Sequence, residues 1–382
     1  MQLETLYFSP DTGWSIQPLP AMDSDSTLVI VFGASSYMDA PGPIRELRQA
    51  FPRAHFVGCS TSGEIHGAEL LDGSLSVAIA RFEHSTLRTT ESDVIGTDTD
   101  TSFAAGEKIA QTLTRDDLRA ILVLSDGLNV NGSQLVQGLN ACLPESVVIT
   151  GGLAGDGDRF ARTWVLGRGE PRAGVISAVG IYGDRVRVGH GSKGGWDIFG
   201  PERVVTKSSK NVLYELDGKP ALKLYKQYLG ERASGLPATA LLFPLALRSG
   251  PDDSKVLVRT VLSVDEAKQS MTFAGDVPEG YLAQLMRANF ERLIEGASTA
   301  ALQTRDSQTD AALDMLSIAI SCVGRRLILG ERTEEEIEAV LDSLPKGAKQ
   351  VGFYSYGEIS PYASGHCDLH NQTMTLTTIA ES

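Results

Sequence analysis

The sequence predicts an α/β protein whose mixed β-sheets carry flanking helices. Two observations predict this class. Short apolar runs of strand length alternate with amphipathic helical segments, and one strand–helix–strand–loop–strand pattern occurs near both ends of the chain. The chain has 382 residues, of which 42% are hydrophobic and 21% charged, so it can bury a large core. We therefore expect one internally duplicated protein rather than a set of unrelated domains.

The first repeat unit lies in the N-terminal part of the chain. An apolar run at 28–34 predicts a buried strand, and 41–51 predict an amphipathic helix with a proline in its first turn. A second strand at 55–58 opens into the polar loop 59–65. Residues 75–82 predict the closing strand of the unit.

The same plan recurs at the C-terminal end. Residues 315–323 predict a strand, and Thr333 with Glu336 predicts a capping box at the start of a helix. A short strand then opens into the loop 353–359, and 369–379 predict the closing strand. The two loops align, because Gly63-Glu64-Ile65 matches Gly357-Glu358-Ile359. We infer an internal duplication.

The middle of the chain predicts a third, looser copy. It has a strand at 120–124, a helix capped by Ser133, and a strand that opens into the glycine-rich loop 150–157. Residues 164–182 predict a hairpin. Three strands therefore end in glycine-rich or hydroxyl-rich loops, and ligands of open α/β folds bind at such strand ends.

Two further segments predict helices outside the repeats. They cover 219–229 and 280–294, and each places apolar side chains on one face. The segment 234–253 is rich in Gly, Pro and Ser, but its apolar residues predict an ordered segment rather than a linker.

The charge balance excludes two classes of partner. Lys and Arg number 34 and Asp and Glu number 48, which gives a net charge of -14 at pH 7. Nucleic acids and anionic membrane surfaces are bound through clustered basic residues. We therefore expect no nucleic-acid and no membrane partner, which leaves proteins and small ligands.

The first residues and the cysteines indicate a cytoplasmic protein. Residues 1–8 lack the basic and apolar regions of a signal peptide, and the apolar runs are far shorter than the ~20 residues that cross a bilayer. The four cysteines include no close pair, and the histidines have no metal-ligand spacing. We expect neither a disulfide framework nor a structural zinc site.

Glu64 and Glu358 are equivalent in the duplication. Facing carboxylates could transfer protons or receive the amine of a ligand, and the alternative is that each carboxylate caps its own turn. Residues 58–63 come close to the nucleophile pattern G-x-S-x-G but have one residue too many. Cys59 or Ser60 could still act as a nucleophile, and the alternative is a loop whose hydroxyls bond its own backbone.

Gly189 to Gly194 match the pattern G-x-G-x-x-G, but no helix is predicted to begin there. The sequence therefore predicts a turn-rich loop rather than a dinucleotide site. His190 lies among these glycines and near Trp196, which would suit a planar ligand or one axial bond to a metal. The alternative is a histidine bonded to the backbone. His370 is predicted to lie in a turn before the last strand.

Together these segments resemble the FIST family of sensory proteins over nearly the whole chain. The residues that carry the resemblance are 57–65, 151–156, 189–196, 213–222, 321–326, 330–336, 352–361 and 369–376. The resemblance implies a FIST N-terminal domain at 24–216 and a FIST C-terminal domain at 217–382. It also implies an intracellular sensor rather than an enzyme, with an amino acid as one proposed ligand.

By this resemblance we expect no segment of the chain to form an output domain, and we therefore expect it to act on a separate protein. Stand-alone members of the family sense nitric oxide through haem and regulate a histidine kinase, or a diguanylate cyclase or phosphodiesterase. The resemblance thus implies haem b, with His190 as the first candidate for the iron ligand and His370 as the reserve. A homodimer is a further expectation.

Two alternatives to haem stay open. One is a polar small ligand, such as an amino acid, bound among the loops, and the other is an enzyme that uses Cys59 or Ser60. The candidate ligand-binding residues are Cys59, Ser60, Thr61, Ser62, Glu64, Gly152, Asp156, Gly191, Trp196, Tyr354, Tyr356 and Glu358.

Overall fold

Three β-sheets with the same strand order form one body, and a fourth sheet forms a lobe inserted into it. This is seen in a computed structural model that describes residues 1–94, 99–253, 256–307, 314–362 and 366–382. We call the two parts the three-sheet body and the inserted lobe (197–287).

The first unit follows the predicted order. Its elements are β1 (Gln2–Ser9), β2 (Gly13–Trp14), β3 (Thr27–Gly33), α1 (Gly42–Ala50), β4 (His55–Ser60), β5 (Glu64–His66), β6 (Glu69–Leu71) and β7 (Leu75–Arg81). β3 is buried along its whole length and runs parallel to β4, with α1 as the crossover. β7 closes the unit antiparallel to β3.

The predicted third copy is present as the second unit. Its elements are β8 (Thr86–Asp93), α2 (Thr99–Leu113), β9 (Leu118–Ser125), α3 (Gly132–Cys142), β10 (Val148–Leu153), β11 (Val165–Gly167), β12 (Glu170–Arg172) and β13 (Val175–Tyr182). The predicted hairpin at 164–182 is wrong, because β11 pairs with β4 whereas β13 lies between β8 and β9. Asn131, not Ser133, caps α3, since its side chain accepts a hydrogen bond from the amide of Gln134.

The third unit begins with β14 (Val186–Lys193), and the inserted lobe follows at once. The lobe consists of β15 (Asp197–Ser209), β16 (Val212–Leu216), β17 (Lys219–Pro220), α4 (Ala221–Leu229), β18 (Leu245–Arg248), β19 (Leu257–Arg259), β20 (Val261–Asp265), β21 (Ser270–Phe273) and β22 (Leu282–Arg287). The boundary that we predicted at 216/217 falls between β16 and β17.

Two predictions fail in this region. Gly189 to Lys193 form the end of β14 rather than a turn-rich loop, because they pair with β27 (Met374–Glu381). The predicted helix 280–294 is instead β22 followed by α5 (Phe290–Gln303). Asn289 separates the two, since its side chain accepts a hydrogen bond from the amide of Arg292 and begins the helix there.

The rest of the third unit follows α5. Its elements are β23 (Leu316–Cys322), α6 (Val323–Leu329), α7 (Thr333–Asp342), β24 (Lys349–Ser355), β25 (Gly357–Pro361), β26 (Cys367–His370) and β27. The predicted closing strand 369–379 is split, because β26 pairs with β25 and β27 with β23 in another sheet. The turn lies at 371–373, and His370 ends β26. The capping box is also absent, since Thr333 donates to the carbonyl of Gly330.

The three units exchange hairpins in a cycle. β5–β6 of the first unit pairs with β24 of the third, β25–β26 of the third with β10 of the second, and β11–β12 of the second with β4 of the first. The sheet orders are β12-β11-β4-β3-β7-β1-β2, β26-β25-β10-β9-β13-β8 and β6-β5-β24-β23-β27-β14. Each sheet is therefore completed by a neighbouring unit.

The core of the body lies where its three sheets meet. One buried cluster contains Phe32, Leu122 and Phe353, one from each unit, and the rings of Phe32 and Phe353 are 4.7 Å apart. The inserted lobe has a separate core around Leu213 and Phe273. None of the helices in the described residues has the length and apolar character needed to span a membrane.

Candidate ligand-binding site

The strand-end loops of the three units meet inside the body. Backbone hydrogen bonds join each pair of loops. The amide of Ser62 donates to the carbonyl of Tyr354, that of Gly155 to Ser60, and that of Tyr356 to Leu153, at 2.7, 2.9 and 3.1 Å. The structure thus brings together most of the loop residues that the sequence singled out.

Glu64 holds the turn of its own unit. Its carboxylate accepts hydrogen bonds from the hydroxyl of Thr61, and from the amide and hydroxyl of Ser74 at 3.0 and 2.8 Å. The side chain is buried, and burial raises its pKa to about 7.

Glu358 repeats this arrangement in the third unit. Its carboxylate accepts hydrogen bonds from the hydroxyl of Ser355 at 2.7 Å and from the amide of Thr373 at 3.2 Å. Burial raises the pKa of Glu358 to about 8. Of the two sequence alternatives, this geometry corresponds to carboxylates that each cap their own turn.

The other polar loop residues are also bonded within the protein. Asp156 accepts hydrogen bonds from Ser35, Arg159 and the amide of Arg162. Burial acts to raise the pKa of Asp156, but the bonds from Arg159 and Ser35 outweigh it and lower that pKa. The hydroxyl of Ser60 accepts from the amide of Trp164 at 2.9 Å.

Cys59 lies in the core rather than at a surface. It is fully buried in β4, and burial raises the pKa of its thiol well above the usual range. A nucleophilic cysteine is activated by an environment that lowers its pKa or by an adjacent base. Cys59 therefore has the environment of a packing residue. Ser62, in the same loop, is also bonded within the protein, because its hydroxyl donates to the backbone carbonyl of Gly157 at 3.3 Å.

Four predicted residues have structural contacts of their own. The hydroxyl of Tyr354 donates to Glu336 at 3.0 Å, and the indole of Trp196 donates to the carbonyl of Gln372 at 2.7 Å. Gly191 lets α5 approach β14, because a Cβ there would strike the carbonyl of Ala300, and Gly152 is packed against Phe353. Gly191 and Trp196 lie outside the ring of loops.

The two candidate haem ligands fit haem poorly. His190 is half-buried in β14, opposite Thr377, and burial lowers its pKa. His370 is buried, with its Nε2 3.0 Å from the carbonyl oxygen of Ser360 and its ring stacked on Tyr362. Neither histidine lines a described cavity, and the described residues contain no cluster of three or more metal-ligating side chains.

Two cavities lie between the three-sheet body and the inserted lobe. The Arg259 cavity has a volume of about 350 Å³, and its charged walls are formed by Asp253, Arg259, Asp276 and Asp368. The second cavity, the aromatic cleft, has a volume of about 420 Å³ and is bounded by Leu153, Phe160, Leu262, Phe273 and Tyr356. Among the predicted site residues only Tyr356 lines either one.

Arg259 is the unusual residue of the first cavity. It is only 4% exposed. Its Nε donates to the carbonyl of Asp276 at 2.9 Å, and its Nη1 donates to those of Val258 and Leu369 at 3.1 Å each. Within the described part of the chain it forms no ion pair and its Nη2 has no acceptor. Burial lowers the pKa of Arg259, whereas the nearby Asp368 and Asp276 carboxylates act to raise it.

One pattern in the sequence does indicate Arg259 as a candidate functional residue. It is the only charged residue in the run 256–262, whose other members are Thr260 and aliphatic residues. A charge inside an apolar run of strand length costs stability if the run is buried and the charge is not compensated, and such residues are often functional. The partner residues of the cavity come from β26 and α3, and no local pattern connects them with this strand.

The fold is thus one of repeated α/β units with an inserted lobe, and cavities between such parts are common positions for small-ligand sites. The FIST N domain model matches residues 27–219 and the FIST C domain model matches 221–361. The chain therefore belongs to the FIST family of sensory, small-ligand-binding signalling proteins.

Two comparisons with individual proteins accompany this assignment. An uncharacterized protein of Methanocaldococcus jannaschii is 25% identical over 355 residues, which cover 82% of this chain and 65% of the relative. The chain thus spans 65% of that relative's length. The crystal structure of cyanuric acid hydrolase from A. caulinodans aligns with 100% of this chain and 98% of its own, with 9% identity and a TM-score of 0.39, too low to establish a shared fold.

Proposed function

We propose that this protein is a signal-transduction sensor whose ligand is a small zwitterion, such as an amino acid, bound in the Arg259 cavity. One observation carries the proposal: a buried guanidinium lines a cavity between the body and the lobe and has no carboxylate partner in the described residues. Burial of a charge is costly, and an anionic group of a ligand that pairs directly with the guanidinium would offset that cost.

The remaining charges of the cavity favour a second, positive group on the ligand. Burial lowers the pKa of Arg259, and the charges of Asp368 and Asp276, which line the same cavity, oppose that lowering. A ligand that carried only a carboxylate would be repelled by these aspartates, whereas an ammonium group would be attracted. A carboxylate at Arg259 and an ammonium group near the aspartates together describe a zwitterion.

Ligand binding would change the arrangement of the body and the lobe, because the ligand contacts both. Arg259 and Tyr281 belong to the inserted lobe, and Ser133 and Asp368 belong to the body. A ligand that contacts both parts stabilises the arrangement in which both contacts are made, and so shifts the conformational equilibrium. We expect the output to be a separate protein, either a histidine kinase or a diguanylate cyclase or phosphodiesterase.

A thermal-shift series tests the ligand. The probes are the twenty L-amino acids, with acetate and methylamine as probes that carry one charge each. We expect at least one amino acid to raise the melting temperature, because a ligand that binds only the folded state stabilises it, and we expect neither single-charge probe to do so. Arg259→Met removes the carboxylate contact and Asp368→Asn the ammonium contact, so both should reduce the shift.

Arg248→Met is the matched control, since Arg248 lies in β18 of the same lobe and does not line the Arg259 cavity. It should keep the full shift. The proposal is wrong if no amino acid stabilises the protein, or if Arg259→Met responds like the unchanged chain. Melting without ligand establishes that each variant is folded.

Haem-based sensing of nitric oxide stays a prediction of the family resemblance. It has less support than a zwitterion, because the ring nitrogen of His370 lies at a backbone carbonyl and neither candidate histidine lines a described cavity. An absorption spectrum after haem addition decides between the two. A Soret band that His190→Ala or His370→Ala abolishes would establish haem, and the absence of a band would reject it.

A further inference from the structure

An exposed aromatic pair forms one wall of the aromatic cleft. Phe160 is 46% exposed, and its ring stacks on Tyr356 with the centroids 4.3 Å apart and the planes 14° apart. Large apolar side chains in this protein are mostly buried, and a contiguous exposed apolar surface in a cavity usually marks a binding site.

The pair is held in position by the backbone around it. The hydroxyl of Tyr356 donates to the carbonyl of Gly157 at 3.1 Å and accepts from the amide of Phe160 at 3.2 Å. Phe160 has a φ of 48°, in the left-handed region that a bulky side chain rarely adopts. The loop therefore holds Phe160 in an unfavourable backbone conformation with one face of its ring exposed. Unfavourable backbone conformations cluster at functional positions.

The opposite wall comes from the inserted lobe and contains large apolar side chains beside the polar residues Lys210 and Asn211. Leu262 is 44% exposed and Phe273 is buried, and both line the cleft. Leu153, at the end of β10, lines it from the body. Apolar groups from both parts of the protein thus line the cleft.

We infer that the aromatic cleft is a second binding site, for a flat aromatic molecule that stacks on Phe160. A planar ring would extend the existing stack of Phe160 on Tyr356, in the offset geometry that aromatic rings prefer. The volume of about 420 Å³ lies within the range of cavities that hold small molecules. This site goes beyond the proposed zwitterion sensor, because the two cavities share no described lining residue.

A matched pair of probes tests the site on the full chain. 2-Naphthol is flat, and decahydro-2-naphthol has the same carbon skeleton without aromatic rings. We expect titration calorimetry to detect 2-naphthol binding that is at least tenfold tighter than decahydro-2-naphthol binding. Phe160→Ala should weaken 2-naphthol binding by about tenfold, the size of one lost aromatic contact.

Two variants serve as controls. Phe290→Ala removes a phenylalanine that is 41% exposed at the start of α5, outside the cleft, and should leave the affinity unchanged. Arg259→Met should also leave it unchanged, so that a failure of the zwitterion proposal is distinguishable from a failure of this one. Equal binding of the two probes, absence of 2-naphthol binding, or an unchanged affinity in Phe160→Ala would overturn the inference.

Discussion

Glu64 and Glu358 are buried carboxylates whose hydrogen bonds come from equivalent positions in two units. The loop alignment predicted that the two residues are equivalent, and the structure confirms it through their matching partners. The more distant partners could not be predicted. Ser74 and Thr373 lie 10 and 15 residues further along the chain. They precede β7 and β27, which belong to different sheets from β5 and β25, so their contacts with the carboxylates depend on how the sheets pack together.

These carboxylates make the stability of the protein depend on pH. The pKa of Glu358 in the folded chain is about 8, above its usual value of 4.5, so between these values the folded state binds more protons than the unfolded state. The free energy of unfolding therefore falls as the pH rises from about 5 to 8. Glu358→Gln removes this contribution. We therefore expect the free energy of unfolding of the variant to fall over that range by on the order of 3 kcal/mol less than that of the unchanged chain. Urea denaturation at several pH values measures the difference.

Two other glutamates, the equivalent residue Glu64 and the exposed residue Glu331, serve as comparisons for Glu358. Glu64→Gln should act in the same direction but over a window that ends near pH 7, where the pKa of Glu64 lies. Glu331→Gln changes an exposed glutamate and should leave the pH dependence as it is. Parallel stability profiles for Glu358→Gln and the unchanged chain would contradict the assignment.

At the scale of elements, a buried ion pair connects α6 and α7 with the ends of two strands. Arg325 and Glu336 are both fully buried and paired, and Glu336 also accepts hydrogen bonds from Ser321 at 2.8 Å and Tyr354 at 3.0 Å. The sequence correctly placed a helix after Thr333 but assigned Glu336 to a capping box. The pattern could not indicate that Arg325 would turn inward, because arginines next to a helix start are usually exposed.

A double-mutant cycle measures this pair. Arg325→Met leaves the Glu336 carboxylate buried without its cation, so we expect a loss of about 3–5 kcal/mol in the free energy of unfolding. Glu336→Gln should also destabilise the protein. The double variant should cost less than the sum of the two by roughly 0.5–3 kcal/mol, because each single change leaves the other charge uncompensated. Denaturant unfolding gives all three values.

A surface pair serves as the control for this cycle. Arg332 pairs with Glu291 and Glu335 at the surface, and Arg332→Met should cost less than about 1 kcal/mol. If Arg325→Met cost no more than Arg332→Met, or if the two buried changes were additive, the pair would not organise the contact between α6 and α7.

At the scale of the whole molecule, the hairpin exchange is the feature that local sequence patterns could not contain. The sequence predicted the parallel strand pairs and their helices, since hydrophobic periodicity is local. The partner of β5 is β24, almost 300 positions away in the chain, and β5 itself has 3 residues. The Arg259 cavity was missed for the same reason, because it joins β19 with β26 and α3.

Because the three units exchange hairpins, we predict that the three-sheet body unfolds as one unit. Phe32 is fully buried in the cluster shared by the three units, and Phe32→Ala should cost about 3–5 kcal/mol. Because each sheet is completed by another unit, we expect amide hydrogen exchange to accelerate equally in β3, β9 and β23. Phe243→Ala is the matched control, since Phe243 lies in the separate core of the inserted lobe, and it should accelerate exchange mainly in that lobe. Faster exchange confined to β3 in Phe32→Ala would mean that the units open independently, and that the exchanged hairpins do not couple their stability.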